Sequence, residues 1–399
     1  MNAPHEGTLF LSLAQRARDA RSSAIREILK VTLRPEVISF AGGLPAPETF
    51  PVTALREAFD TVLREVGPAS LQYSTTEGDP ALRKWVAQRE TARGIPTEPD
   101  EVLIVAGSQQ GLDLIAKAFI DEGSPILVES PSYLGALQAF GLLAPTFRAI
   151  PTDTDGLLPQ AIDGRFAREA RFAYVMPNFQ NPTGRTLTVE RRALLAEAAR
   201  EHDFWLVEDD PYGELWYREA PPPSLRAFAP ERTIRLGSFS KILAPGLRIG
   251  FVVAPRSMID VLIRLKQATD LHTATLSQRA AFEVLNSALM ADHLPAIRAR
   301  YAAQCGVMLE ALEQHFPCEA VWTRPSGGMF IWVELPGSID TTELLARAIE
   351  RKVAFVPGAP FFATAPQTNC LRLSFVTVPP ARIRTGIALL GELLREAQG

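Results

Sequence analysis

The sequence predicts an α/β protein: a large domain with a mostly parallel seven-stranded sheet sandwiched by helices, plus a smaller α+β domain. Three observations lead there. Between about residues 101 and 255, short β-rich apolar runs alternate with polar turns and, often, with helical patterns. The last of these runs follows its predecessor with no room for a helix. Beyond about Leu276 the rhythm gives way to long helical stretches with few strand-like runs.

The seven runs are residues 102–105, 126–129, 147–150, 172–176, 205–207, 233–236 and 249–253. Helical patterns such as 109–120 and 189–202 fall between them, so most connections should be right-handed crossovers joining parallel strands. The run at 249–253 follows a short loop containing Pro245 and Gly246 and is expected to be antiparallel. In the second lobe, residues 329–335 and 370–375 read as strands, and Pro221 to Pro223 mark a sharp loop in the first. The expected division is an N-terminal helix or arm with the start of the small domain over 1–50, the large domain over 51–285, and the C-terminal small domain over 286–399.

A chain of 399 residues exceeds what one ordinary core organises, consistent with more than one lobe. Hydrophobic residues make up 47% and charged residues 22%, which argues against disorder. With a net charge of −4 and interspersed signs, no footprint for nucleic acid or anionic membrane stands out, and small-molecule chemistry is expected. Cys305, Cys318 and Cys370 have neither metal-ligand nor redox spacing and read as reduced structural thiols. The apolar stretch 9–14 is too short for a secretory signal, so a cytoplasmic location is expected.

Four polar clusters fall just after the predicted strand ends, where ligands bind in open parallel sheets. Gly107-Ser108-Gln109-Gln110 places backbone N–H groups at a helix start, suited to a phosphate, although such a glycine is more often a cap. Asn181-Pro182-Thr183-Gly184 reads, alone, as a plain turn. Glu208-Asp209-Asp210-Pro211-Tyr212 offers adjacent carboxylates for a metal or an acid/base pair, and without an accompanying histidine the metal is the lesser reading. Gly237-Ser238-Phe239-Ser240-Lys241, with Arg248 following, sets a lysine among anion-binding groups, where a lowered pKa makes an amine nucleophilic; a lone lysine is otherwise usually a solvated charge.

Together these clusters resemble the fold-type-I pyridoxal-phosphate-dependent aminotransferases. The family's ordered signature has counterparts in Ser108-Gln109, Tyr133, Asn181, Asp209 with Tyr212, Ser238-Phe239-Ser240-Lys241, Arg248 and Arg372. The resemblance runs from about Arg21 and is nearest the 2-aminoadipate and kynurenine branch, through segments such as ISFAGGLPAPETFP, LQYSTTEG, TDLHT and GGMFIW. Pro211 departs from the alanine commoner in the family.

The resemblance implies that pyridoxal 5'-phosphate is held on Lys241 as a Schiff base, and that Lys241 later acts as general base. It implies that Asp209 pairs with the pyridine nitrogen, Tyr212 and Asn181 hydrogen-bond the phenolic oxygen, and Tyr133 stacks on the ring. Gly107, Ser108, Gln109, Ser238, Ser240 and Arg248 would hold the phosphate, with Tyr73 reaching it from a neighbouring subunit of a homodimer. Arg372 and Asn181 would bind the substrate carboxylate, with Gly43 beside it. Arg26 would meet the distal carboxylate of an acidic substrate, from a helix capped by Ser22 or Ser23 and packed through Ile25, Ile28, Leu29 and Thr32. Without the family, Arg26 reads as a surface arginine beside a packed face. The expected activity moves an amino group between an L-amino acid (2-aminoadipate, glutamate, or a leucine-like or aromatic one) and a 2-oxo acid such as 2-oxoglutarate.

Two rivals follow from the same fold. Some transcription regulators carry an aminotransferase-like domain, but only about twenty residues precede the resemblance, too few for a winged helix. Another reaction of the same cofactor is the second rival, against which Asn181-Pro182-Thr183-Gly184 and Arg372 favour transamination.

Overall fold

The structure is a computed structural model and describes residues 13–19, 34, 36–162 and 164–398. Its first strand, β1 (Ile38–Ser39), precedes the predicted apolar runs. Most of those runs lack polar alternation because both of their faces are covered, the half-exposed run at 147–150 being the exception. Thus β2 (Val102–Val105), β6 (Phe172–Val175) and β9 (Gly250–Val253) are buried at every position. With β3 (Pro125–Ser130), β4 (Thr146–Asp153), β5 (Gly156–Leu157), β7 (Trp205–Asp210) and β8 (Thr233–Ser238) they form one sheet ordered β2-β9-β8-β7-β6-β3-β4-β5.

All seven predicted strands are present, and β9 runs antiparallel to both β8 and β2 as its short connection requires. The pairs β3–β4, β3–β6, β6–β7 and β7–β8 are parallel. The sheet has eight strands rather than seven, because Gly156 and Leu157 pair back on Asp153 and Thr152. A two-residue strand carries no periodicity to read. The predicted helices appear as Ser108–Phe119 and Val189–His202.

Alternate residues of β6 feed two cores. Phe172 and Tyr174 join the larger cluster, whereas Ala173 and Val175 join a smaller one with Leu195 and Ala199 of the helix behind the sheet.

The C-terminal region packs helices Leu289–His315 and Pro380–Gln398 together. They accompany an antiparallel sheet of β10 (Val321–Trp322), β11 (Phe330–Glu334), β13 (Val356–Pro357) and β14 (Cys370–Ser374), in the order β10-β11-β14-β13. Strand β1 pairs in parallel with β12 (Val353–Ala354). Phe40 then donates to Ala354 O at 2.7 Å and accepts from Ser374 N at 2.8 Å. This threading carries Ala41 and Gly43 toward the ends of the large sheet. Among the described residues, no helix is long and apolar enough to cross a membrane.

Candidate active site

A cavity of about 330 Å³ opens at the carboxyl ends of the central strands. Its walls bring together Gly43, Ser108, Gln109, Tyr133, Asn181, Asp209, Tyr212, Ser238, Ser240, Lys241, Arg248 and Arg372, residues from nearly the whole length of the chain.

Asp209 does not follow its strand, as the sequence suggested, but lies within it. The ladder continues past the apolar run, pairing Asp209 with Leu236 and Asp210 with Gly237. The same correction holds for Gly237 and Ser238, which pair with Phe251 and Gly250. Strand alternation then separates the three adjacent carboxylates. Glu208 and Asp210 face the opposite side and meet Arg235, whose Nη1 and Nη2 donate to them at 2.7 and 2.8 Å while Nε reaches Glu90 at 2.7 Å. Asp209 alone faces the cavity. The buried Asp209 Oδ2 accepts from the Tyr174 hydroxyl at 2.7 Å, while Oδ1 is buried with no hydrogen-bond partner among the described residues. Burial pushes this carboxyl up to about 7, with the Tyr174 hydrogen bond opposing the rise.

Asp210 also shapes the site from behind. Its Oδ1 accepts from Gly213 N at 2.8 Å, closing the turn that presents Tyr212. The Tyr212 ring packs edge-on to Phe330 with centroids 5.7 Å apart, and burial raises its hydroxyl pKa. Pro211 sits inside this closed turn and lines the cavity.

Lys241 follows β8 and donates from Nζ to Gly43 O at 2.8 Å. Burial, then the charges of Arg372 and Arg248, lower its pKa to about 8. Across the cavity, Arg372 of β14 is buried beneath the Phe330 ring, 4.3 Å from its centroid. Its Nη1 donates to Asn181 Oδ1 at 2.8 Å and its Nη2 to Ala41 O at 2.7 Å. Asn181 is held by a built turn: Gln180 Oε1 accepts from Thr183 N at 3.0 Å, and Gly184, at φ +70°, packs where a side chain would meet Phe330 O.

The phosphate-like end is a backbone cradle. Gly107 precedes helix Ser108–Phe119 at φ +82°, and a Cβ there would run into the Arg248 guanidinium. Arg248, itself left-handed at φ +54°, donates from Nη2 to Ala106 O at 3.0 Å. Ser240 N donates to Ser238 Oγ at 3.2 Å.

Two predicted residues stand apart. Tyr73 does not line the cavity of its own chain; it is 78% exposed, edge-on to His272 at 5.9 Å. Arg26, with the helix expected around it, lies outside the described residues. The sequence reading missed Tyr174, Leu44 and Met176. A tyrosine in the otherwise apolar β6, paired with Val207 and so on the face of Asp209, was the available signal for the first.

The aminotransferase class I and II family matches residues 35–390, and the chain belongs to this family. It is 46% identical to a 2-aminoadipate transaminase of Thermus thermophilus over 94% of each chain. It is 42% identical to an aromatic-amino-acid aminotransferase of Thermococcus litoralis, over 96% of this chain and 94% of the relative. The solved α-aminoadipate aminotransferase of Thermus thermophilus, complexed with N-(5'-phosphopyridoxyl)-L-leucine, superposes with a TM-score of 0.90 at 43% identity, over 97% of this chain and 98% of that one. The chain is therefore a fold-type-I aminotransferase that uses pyridoxal 5'-phosphate. Its residues fit that cofactor: the unpartnered Asp209 Oδ1 suits a ring N–H, the Gly107 cradle suits a phosphate, and an amine of lowered pKa lies between them.

Proposed function

We propose that the enzyme transfers the amino group of 2-aminoadipate or glutamate, and also of leucine-like or aromatic amino acids, to a 2-oxo acid such as 2-oxoglutarate. The observation carrying the residue assignment is the shared cavity in which Lys241, the unpartnered oxygen of Asp209 and the fork of Arg372 converge. The relatives' substrates support the substrate range.

When bound, pyridoxal phosphate supplies an electrophilic carbonyl carbon and an electron sink. Lys241 would hold it covalently and, once the substrate amine has displaced it, would carry the proton from the substrate Cα to the cofactor's former carbonyl carbon. Arg372 binds the α-carboxylate, with Asn181 Oδ1 fixing the plane of its guanidinium. Asp209 Oδ1 accepts the ring N–H, Tyr212 and Asn181 donate to the phenolic oxygen, and Tyr133 covers the ring face. Gly107, Ser108, Gln109, Ser238, Ser240 and Arg248 hold the phosphate. In this reading Gly43 borders the substrate, and Arg26 receives its distal carboxylate.

The reading includes a homodimer in the cytoplasm, in which the exposed Tyr73 reaches the partner's phosphate, and a division into 1–50, 51–285 and 286–399. Its test is reductive trapping: borohydride should fix the cofactor on Lys241, located by mass spectrometry. An adduct on another lysine sinks the assignment. Sedimentation of a fully active monomer sinks the shared site.

A further inference from the structure

Behind the phosphate cradle, outside the cavity, a buried ammonium sits in a closed ring of hydrogen bonds. Lys266, in helix Arg256–Asp270, is fully buried, and its Nζ donates to Asp270 Oδ1 at 2.7 Å and to Gln110 Oε1 at 3.0 Å. Gln110 Nε2 donates to Asp270 Oδ2 at 2.7 Å, and Gln110 Oε1 also accepts from Ala106 N at 2.8 Å. Ala106 O in turn receives Arg248 Nη2. The residue that leads into Gly107 and Ser108 is thus held at its N–H by Gln110 and at its carbonyl by Arg248.

The ammonium explains the direction of the amide. A glutamine side chain can turn over, exchanging its oxygen and nitrogen. Turned over here, it would point an NH₂ group at both Lys266 and the Ala106 N–H, and its oxygen at the Asp270 carboxylate. Lys266 and Asp270 together therefore admit one orientation, the one that accepts from Ala106. A buried ammonium is a poor source of stability compared with an apolar residue of similar volume, which leaves orientation as what the charge contributes.

We propose that Lys266 is a positioning residue for cofactor phosphate binding: with Asp270 it fixes the Gln110 amide, and Gln110 fixes the turn after Gly107 that aims the Ser108 and Gln109 N–H groups at the start of the helix. The inference rests on the phosphate lying at Ser108 and Gln109, as in the proposed function. It predicts an effect confined to the phosphate, which a general loss of packing does not produce.

The test uses the full chain stripped of cofactor, as wild type, Lys266→Met and Gln110→Met, titrated with pyridoxal phosphate and with pyridoxal, which lacks the phosphate. Wild type should prefer the phosphorylated form. Both variants should narrow that preference roughly tenfold, with pyridoxal affinity unchanged. Variants that keep the wild-type preference, or lose both ligands equally, overturn the role of Lys266 while leaving the phosphate site intact. A wild type with no preference overturns the phosphate placement itself. Should Lys266→Met fail to fold, Gln110→Met, at a partly exposed position, decides.

Discussion

The Tyr174 hydroxyl donates to Asp209 Oδ2 at 2.7 Å and leaves Oδ1 as the one open acceptor of that carboxylate. Burial and the neighbouring Asp209 charge raise the phenol's pKa well above its ordinary value, so it remains a donor. Tyr174 thus counteracts the burial that lifts the Asp209 carboxyl from 3.8 to about 7.

Tyr174→Phe should raise that carboxyl further, by about one pH unit for one hydrogen bond to a charged group. A carboxyl whose pKa is raised by folding binds more protons folded than unfolded between 3.8 and 7, so its contribution to stability falls as pH rises through that window. The variant extends the window upward. Cofactor-free Tyr174→Phe should therefore lose more melting temperature at pH 8 than at pH 5, and its cofactor affinity should decline from a higher pH as the solution is acidified. Equal losses at both pH values would show that the hydroxyl only fills space.

Lys241 gives the opposite sign. Its pKa falls from 10.5 to about 8 through burial, then through Arg372 and Arg248. Between those values the unfolded chain binds the extra proton, so the lysine's contribution to stability rises with pH across that window. Covalent capture of pyridoxal phosphate by the cofactor-free enzyme should accordingly rise with a midpoint near 8. Arg372→Met should move that midpoint upward by removing one of the two cations. A wild-type midpoint near 10.5, the ordinary lysine value, contradicts the arrangement.

The sheet was legible because strands covered on both faces must be apolar throughout, and β2, β6 and β9 stand out as such. The clusters at Gly107, Asn181, Asp209 and Lys241 were legible for a related reason: polar and glycine residues break those apolar runs, at Asp209 still within the strand and at the others where the chain leaves it. What escaped depends on pairing across the fold. That Arg235, inside an apolar strand, gathers Glu90, Glu208 and Asp210 follows only from the register of β7 and β8. The same holds for Lys266, whose partner Gln110 is 156 residues away. The Asp209 assignment needed no such knowledge, but its separation from Asp210 did, since only strand geometry sends neighbouring side chains to opposite faces.

Among the described residues lining the cavity, the cations are Lys241, Arg248 and Arg372. In the proposed function all three are committed, Lys241 to the cofactor, Arg248 to the phosphate and Arg372 to the α-carboxylate, and the structure already ties Arg248 to Ala106 O and Arg372 to Asn181 Oδ1 and Ala41 O. A dicarboxylic substrate brings one more negative charge, and sealing it in without a partner is unfavourable by several kcal/mol. The cation then comes from outside these lining residues, and Arg26 is the residue that the family resemblance puts there. Losing such a partner costs ~2–5 kcal/mol, so Arg26→Ala should reduce kcat/KM for 2-aminoadipate by roughly thirty-fold or more. Leucine carries no distal charge and should be largely spared. Steady-state kinetics on both substrates decide: an equal loss makes Arg26 a structural residue, and no loss for either returns it to the surface arginine that its sequence context alone suggests.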